Sequence, residues 1–235
     1  MSDGGLIFDP DVTEALARSL FAKGVEIGVA FPWEPADDLD PREAACMPRA
    51  VDTRLREFAA GRRAARRAMA ALGLAPQPIL HRTDRSPDWP AGVTGSITHI
   101  QSLAIAAVAR DADHLAIGID LEEGGDLPAD LWPEICTPAE LAWLSVQPEP
   151  HRGRLARLIF SAKEAAYKAQ YPVTGQFLEF SAFEITPDLE TGQFEAVLTA
   201  DIGPFPARMH FPGRFVFEAD MVMTGLALAP NMHAG

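Results

Sequence analysis

Residues 102–122 constrain this chain more than any other stretch. Two apolar runs, SLAIAAVAR (102–110) and HLAIGIDLE (114–122), flank a short polar turn. That pattern reads as the two strands of a hairpin, and Gly124-Gly125 ends the second. Helical patterns lie on both sides. Asp40-Pro41-Arg42-Glu43 reads as a helix start, with an N-cap, Pro at N1 and an acid at N3. Pro48 should break that helix. A second helix is predicted from about Asp52 to Leu72, with Gly73 as its C-cap. Its apolar stripe is Leu55, Phe58, Ala65, Met69 and Leu72. Arg62 falls on that stripe, where a guanidinium either snorkels or meets a buried anion. Residues 74–95 read as a loop. Beyond the hairpin, Thr137-Pro138-Ala139-Glu140 reads as a capping box, and a longer helix spans about Arg152 to Gln170, stopped by Pro172. Strand-like stretches run from Phe177 to Leu228, and Pro230 to Gly235 read as a frayed tail. Helices then strands, twice over, predict an α+β fold of two halves with a boundary near residue 120, taken as 1–118 and 119–235.

Composition narrows the function classes. Of 235 residues, 48% are hydrophobic and 23% charged, which is ordinary for a globular protein. No run is apolar and long enough to span a membrane. The N-terminus has no basic segment followed by an apolar one, so no secretory signal is read there. Cys46 and Cys136 are too few for a disulfide framework or a Cys-rich zinc site. The expectation is a cytoplasmic protein. With 20 basic and 33 acidic residues the net charge is −13, which argues against nucleic acid and anionic membrane as partners. Residues 1–45 carry ten acids and three bases, whereas Arg49 to Arg85 holds nine arginines and three acids. A basic island in an acidic chain suggests one anionic ligand. Arg63, Arg66 and Arg67 of that helix read as a solvated face.

Four short motifs carry chemistry. In IGIDLE (117–122), strand alternation puts Asp120 and Glu122 on one face and Ile119 and Leu121 on the other. Two neighbouring carboxylates repel, and a divalent cation with oxygen ligands, Mg²⁺ or Mn²⁺, removes that cost. A solvent-facing strand end has the same look. In FSAKEAAYKA (160–169), Ser161, Glu164 and Lys168 share one helix face. Glu164 and Lys168 form either a surface i, i+4 pair or a third carboxylate with a phosphate-binding lysine. Lysines are scarce, with only Lys23, Lys163 and Lys168 in the chain. GSITH (95–99) reads as a polar turn whose hydroxyls and imidazole suit phosphate oxygens. The fourth motif is the arginine helix itself.

Together and in this order, REFAAGR (56–62), PDWPAGVTGSITH (87–99), GIDLE (118–122) and FSAKEAAYKA (160–169) resemble the 4′-phosphopantetheinyl transferase family, in its two-half-domain siderophore and natural-product form. The resemblance implies that a 4′-phosphopantetheine group passes from coenzyme A to a serine of an apo acyl or peptidyl carrier protein, releasing 3′,5′-ADP. It implies Mg²⁺ (or Mn²⁺) held by Asp120 and Glu164, with Glu122 as a third ligand, direct or through water, Glu164 as the base and Lys168 at the reacting phosphates. Coenzyme A would be held by Arg54, Arg62, His81, Arg85, Ser96, His99, Lys163 and Lys168. Many relatives have a lysine where this chain has His81, and Arg82 or Arg85 could supply that charge. The implied fold is two similar half-domains, helices on small antiparallel sheets, about a pseudo-twofold axis with the active site in the cleft. The implied partner is an acidic carrier protein docking on a basic and apolar patch near Lys163, with the enzyme a monomer. The rival readings are a non-catalytic coenzyme A or nucleotide-binding module and a Mg²⁺-dependent phosphohydrolase.

Overall fold

The computed structural model describes residues 9–219 and 221–232. The N-terminal reading of residues 1–8, and residues 233–235 of the expected tail, lie outside the described residues. The chain divides into two units, Met1–Asp111 and Ala112–Gly235. The division falls before 118/119, so the strand carrying Asp120 lies wholly in the second unit.

In the first unit, α1 (Pro10–Ser19) starts at Asp9, whose carboxylate caps the first turn. β1 (Glu26–Ala30) comes next, then α2 (Pro41–Ala45) with a complete Asp40/Glu43 capping box. α2 ends before Pro48. α3 (Asp52–Ala71) is the long helix, and it ends at Leu72 ahead of Gly73. The expected loop contains a two-stranded ladder, β2 (Leu80–His81) with β3 (Pro87–Asp88). β4 (Val93–His99) and β5 (Ala104–Arg110) complete an antiparallel sheet in the order β1-β5-β4. GSITH is therefore strand rather than turn.

α3 packs on this sheet through small residues. Ala59, Ala60, Ala64, Ala65, Ala68 and Met69 are buried, while Leu55, Phe58 and Leu72 sit at the margin. The reason is the closeness of the contact. A Cβ on Gly28 of β1 would stand 2.0 Å from the Ala64 carbonyl oxygen.

In the second unit, β6 (Ala116–Glu123) is followed by α4 (Trp132–Ile135), α5 (Pro138–Ser145) and α6 (Glu149–Thr174). α5 opens on the predicted Thr137/Glu140 capping box. α6 runs past the expected stop. Pro172 lies within its last turn, and the helix ends at Gly175, in the left-handed region at φ 64°. β7 (Phe183–Asp188), β8 (Gln193–Leu198), β9 (His210–Glu218) and β10 (Met221–Leu228) form a sheet ordered β6-β10-β9-β8-β7. Its core includes Leu158, Ile159, Phe183, Phe194, Phe205 and Phe211.

The hairpin expectation is corrected here. β5 pairs with β1 and β4, and β6 pairs with β10 from Ala116↔Leu228 to Glu123↔Met221. The polar turn between them is where the units divide. Adjacent strands normally pair, but both of these runs find longer ladders elsewhere in their own unit. β6 repeats the device of β1, since a Cβ on Gly118 would lie 1.8 Å from the Ala165 carbonyl oxygen of α6. Residues 118, 120 and 122 share a face. The glycine that admits the helix thus also turns Asp120 and Glu122 toward it. No helix among the described residues is long and apolar enough to cross a membrane.

Candidate functional site

Asp120 is 3% exposed and its two oxygens are held separately. Ser161 Oγ donates to Oδ2 at 2.8 Å, and Lys168 Nζ donates to Oδ1 at 2.6 Å. Lys168 Nζ also reaches the Ile119 carbonyl oxygen at 3.2 Å. Thr224 stands opposite Asp120 in the β6–β10 ladder and donates to the Ser161 carbonyl oxygen at 2.9 Å. Lys168 is therefore paired with Asp120, not with Glu164 as the helix spacing suggests. Glu164, one turn before Lys168, makes no hydrogen bond or ion pair among the described residues. It lines a cavity of about 250 Å³ together with Lys163, Tyr167, Phe177, Leu178 and Phe180.

The Asp120 charge acts on both of the other carboxylates. Burial and the Asp120 charge push the Glu122 carboxyl up to about 7, against the opposing pull of Arg157. Burial also lifts Glu164; the Lys168 charge opposes that and the Asp120 charge adds to it. Such a crowd of oxygen donors fits a hard divalent cation in chemistry and charge. The side chains do not, however, form a ready cage. The described residues contain no cluster of three or more His, Cys, Asp or Glu set to hold a metal ion. Glu122 turns instead to Arg157, whose Nη1 donates to its Oε2 at 2.9 Å. Sequence reasoning passed over Arg157. The signal was its place on the helix stripe, four residues before Ser161 and seven before Glu164.

Lys163 departs from its expected role. Its side chain and that of Glu140 are both 1% exposed and 2.7 Å apart. Nζ also donates to the carbonyl oxygens of Ile135 and Phe180. Glu140 accepts the Thr137 and Ile185 N–H groups as well. All three ammonium donors are thus taken up inside the unit. Lys163 ties α6 to α4, α5 and the Phe180–Ala182 turn, so its ammonium is already engaged where the resemblance implies a phosphate contact and a basic docking patch.

In the first unit, a cavity of about 750 Å³ is lined by Arg54, Arg62, His81, Arg85 and His99 among others. Arg62 is 5% exposed, with Nε on the Ile79 carbonyl oxygen at 2.7 Å and its guanidinium over the Phe58 ring at 4.2 Å. Burial draws it down to about 10, against the pull of Glu43. No carboxylate lies within ion-pair distance of it among the described residues. Arg54 Nη1 bonds Glu57 and donates to His99 Nε2, each at 3.0 Å. His81 places Nδ1 on the Arg82 carbonyl oxygen at 2.8 Å and Nε2 on that of Cys46 at 3.1 Å. Arg85 holds a left-handed backbone at φ 71° beside the cavity. Ser96 does not line it: Ile97 and His99 face the cavity, and strand alternation turns Ser96 to the opposite side of β4.

The other arginines of α3 are not a solvated face. Arg63 forks onto Asp38 and also reaches the Pro35 carbonyl oxygen, Arg66 bonds the fully buried Glu43, and Arg67 bonds Glu34. Acids of residues 34–43 thus neutralise one side of the basic island and leave Arg54, Arg62 and Arg85 for the cavity.

The family model for the 4′-phosphopantetheinyl transferase N-terminal domain matches residues 42–109, and that for the 4′-phosphopantetheinyl transferase superfamily matches residues 116–210. These two ranges bracket the division between the units. The chain is 42% identical over 205 residues to 4′-phosphopantetheinyl transferase Svp of Streptomyces mobaraensis, a match that covers 84% of this chain and 82% of Svp. It is 33% identical over 199 residues to 4′-phosphopantetheinyl transferase Npt of Nocardia iowensis, covering 85% and 87%. It is 40% identical over 115 residues to enterobactin synthase component D of Escherichia coli strain K12, covering 48% and 53%.

Proposed function

The chain belongs to the 4′-phosphopantetheinyl transferase family, and from that premise we propose how its residues divide the work. The enzyme transfers 4′-phosphopantetheine from coenzyme A to a serine of an apo carrier protein. The serine oxygen bonds to the phosphorus that carries pantetheine, the bond from that phosphorus to the bridging oxygen breaks, and 3′,5′-ADP leaves. Glu164 takes the serine proton. Its carboxylate has no competing partner among the described residues and opens into a cavity, as a general base requires. Lys168, fixed by Asp120, meets the charge that develops on the leaving diphosphate. Asp120 and Glu164, with Glu122 nearby, would hold Mg²⁺ or Mn²⁺, which would offset charge on the diphosphate. The cavity beside Glu164 suits the amide-and-methyl pantetheine arm, since aromatic walls meet polar ends there.

The 3′-phosphate is read in the first unit. A buried guanidinium with no carboxylate at ion-pair distance among the described residues suits an external anion, and Arg62 is such a group, with Arg54, Arg85 and His81 around the same cavity. The partner is an acidic acyl or peptidyl carrier of siderophore, polyketide or nonribosomal peptide synthesis. The observation that carries the reading is the Lys168–Asp120–Ser161 chain with Glu164 beside it.

The test is mass spectrometry of apo carriers incubated with the enzyme, coenzyme A and Mg²⁺. Wild type adds one phosphopantetheine mass. Glu164→Gln loses about 10²-fold or more in rate with an unchanged melting temperature, and Asp120→Ala loses as much while also lowering the melting temperature, because it removes the buried partner of Lys168 and Ser161. No labelling of any of several carriers would defeat the reading. Release of product from coenzyme A without a carrier would favour the phosphohydrolase, and binding without turnover the passive module.

A further inference from the structure

β10 is apolar except for one residue. In MVMTGLAL (221–228) only Thr224 carries a polar side chain, and it is fully buried. A buried hydroxyl costs free energy unless it is bonded, so its bonds show what it is for. β10 lies between β6 and β9, and Thr224 stands opposite Asp120. Directly opposite residues of an antiparallel pair share a face. Ser161 of α6, also fully buried, meets both of them. Its Oγ lies 2.8 Å from Asp120 Oδ2 and 2.9 Å from Thr224 Oγ1, and Thr224 Oγ1 lies 2.9 Å from the Ser161 carbonyl oxygen. Carboxylate and carbonyl oxygens only accept. With one hydrogen on each hydroxyl, Ser161 donates to Asp120 and Thr224 donates to Ser161. A serine inside a helix has a competing acceptor in the carbonyl four residues back, which here is that of Arg157. The contact with Thr224 holds the hydroxyl toward the sheet instead.

We propose that Thr224 is a positioning residue for the transfer, acting on Asp120 through Ser161. Its hydroxyl fixes that of Ser161, which fixes Asp120 Oδ2, and the other carboxylate oxygen then meets Lys168 Nζ at 2.6 Å. Three elements, β10, α6 and β6, thus set the direction of Lys168. This rests on the reading of Asp120 and Lys168 as part of the reacting site.

The experiment compares Thr224→Ala with Thr224→Ser in the full chain, since both lose the methyl group and only the serine keeps the hydroxyl. Carrier labelling gives kcat and the Michaelis constant for coenzyme A. Acetic anhydride labelling of the free protein, read by peptide mass spectrometry, gives the reactivity of Lys168. The other two lysines are internal standards, Lys23 exposed and Lys163 sealed. A hydrogen bond between neutral groups is worth about 2–10-fold. Thr224→Ala is expected to lower kcat by a factor in that range and to leave the Michaelis constant for coenzyme A within about twofold. An ammonium bonded to a carboxylate reacts slowly and a released one faster, so Lys168 acetylation should rise relative to Lys23 while Lys163 stays unlabelled. Thr224→Ser should return both readings to near wild type. Ser161→Ala should lose at least as much rate. Ser161→Ala with Thr224→Ala should lose no more than about twofold beyond Ser161→Ala alone, since residues that act through one another are not additive. Equal kcat in Thr224→Ala and Thr224→Ser, Lys168 acetylation unchanged in Thr224→Ala, or losses that multiply in the double variant would each overturn the proposal. If Thr224→Ala does not fold, Thr224→Val, which lacks the hydroxyl but fills the space, takes its place. Asp120→Ala reports separately: transfer untouched there would defeat the reading of Asp120 and Lys168 as the reacting site, whatever Thr224 does.

Discussion

Lys163 and Lys168 stand five positions apart on one helix and do opposite work. Lys163 is sealed against Glu140, whereas Lys168 reaches Asp120 at the site. Removing one partner of a buried ion pair leaves a bare charge, at a cost of about 3–5 kcal/mol. Lys163→Ala should therefore lower stability by about that much in urea denaturation. Lys163→Met with Glu140→Gln should restore part of it, because the charge goes and the amide oxygen still accepts one of the two N–H groups of Thr137 and Ile185. The Michaelis constant for coenzyme A should not change in the folded fraction; a large rise would return Lys163 to the phosphate site. Arg62 is the converse case, a buried cation with no ion pair among the described residues, for which an external anion is proposed. A charge-assisted bond is worth about 1.5–3 kcal/mol. Arg62→Ala should thus raise the Michaelis constant for coenzyme A roughly 10–100-fold and leave that for dephospho-coenzyme A nearly unchanged. Equal effects on both donors would show that it does not read the 3′-phosphate.

Each unit lays a long helix on an antiparallel sheet over a glycine. Gly28 lies under Ala64 and Gly118 under Ala165, both closer than any Cβ allows. Adding a methyl must push the helix off the strand, and overpacking of this kind costs about 1–3 kcal/mol. Gly118→Ala should lower the urea midpoint and also abolish most transfer, because displacing α6 from β6 breaks the Ser161 and Lys168 bonds to Asp120. Gly28→Ala should lose similar stability but act on the Michaelis constant for coenzyme A, since α3 carries Arg54 and Arg62. If both variants affect rate and donor affinity alike, the division of labour between the two helices is wrong.

At the scale of the whole chain, a net charge of −13 coexists with an arginine-lined cavity because the acids are placed against particular bases. Residues 34–43 neutralise Arg63, Arg66 and Arg67. Asp38 loses some solvation there, but its bonds to Arg63 and Arg66 outweigh this and hold its carboxyl below the ordinary value. A depressed carboxyl stabilises the fold above its unfolded value and loses that contribution as pH falls through the folded one. Wild type should therefore lose more of its urea midpoint between about pH 5 and pH 2.5 than Asp38→Asn does. Parallel losses in the two proteins would mean that the Asp38 network adds nothing to acid stability.

What the sequence determined by itself was local in origin. Both capping boxes, the two long helices and the shared face of Asp120 and Glu122 arise from side chains within a turn or two of each other. The odd place of Arg62 on an apolar stripe was legible for the same reason. Tertiary structure alone decided which strands pair, because β6 finds its partner in β10, about a hundred residues away. It decided that Lys163 is core and Lys168 is site, which spacing cannot distinguish when both lie on one helix. It also set Arg157 against Glu122 and turned Ser96 from the arginine cavity. Each of these depends on which face of an element another part of the chain covers. Long-range packing makes that choice, and no short window of sequence contains it.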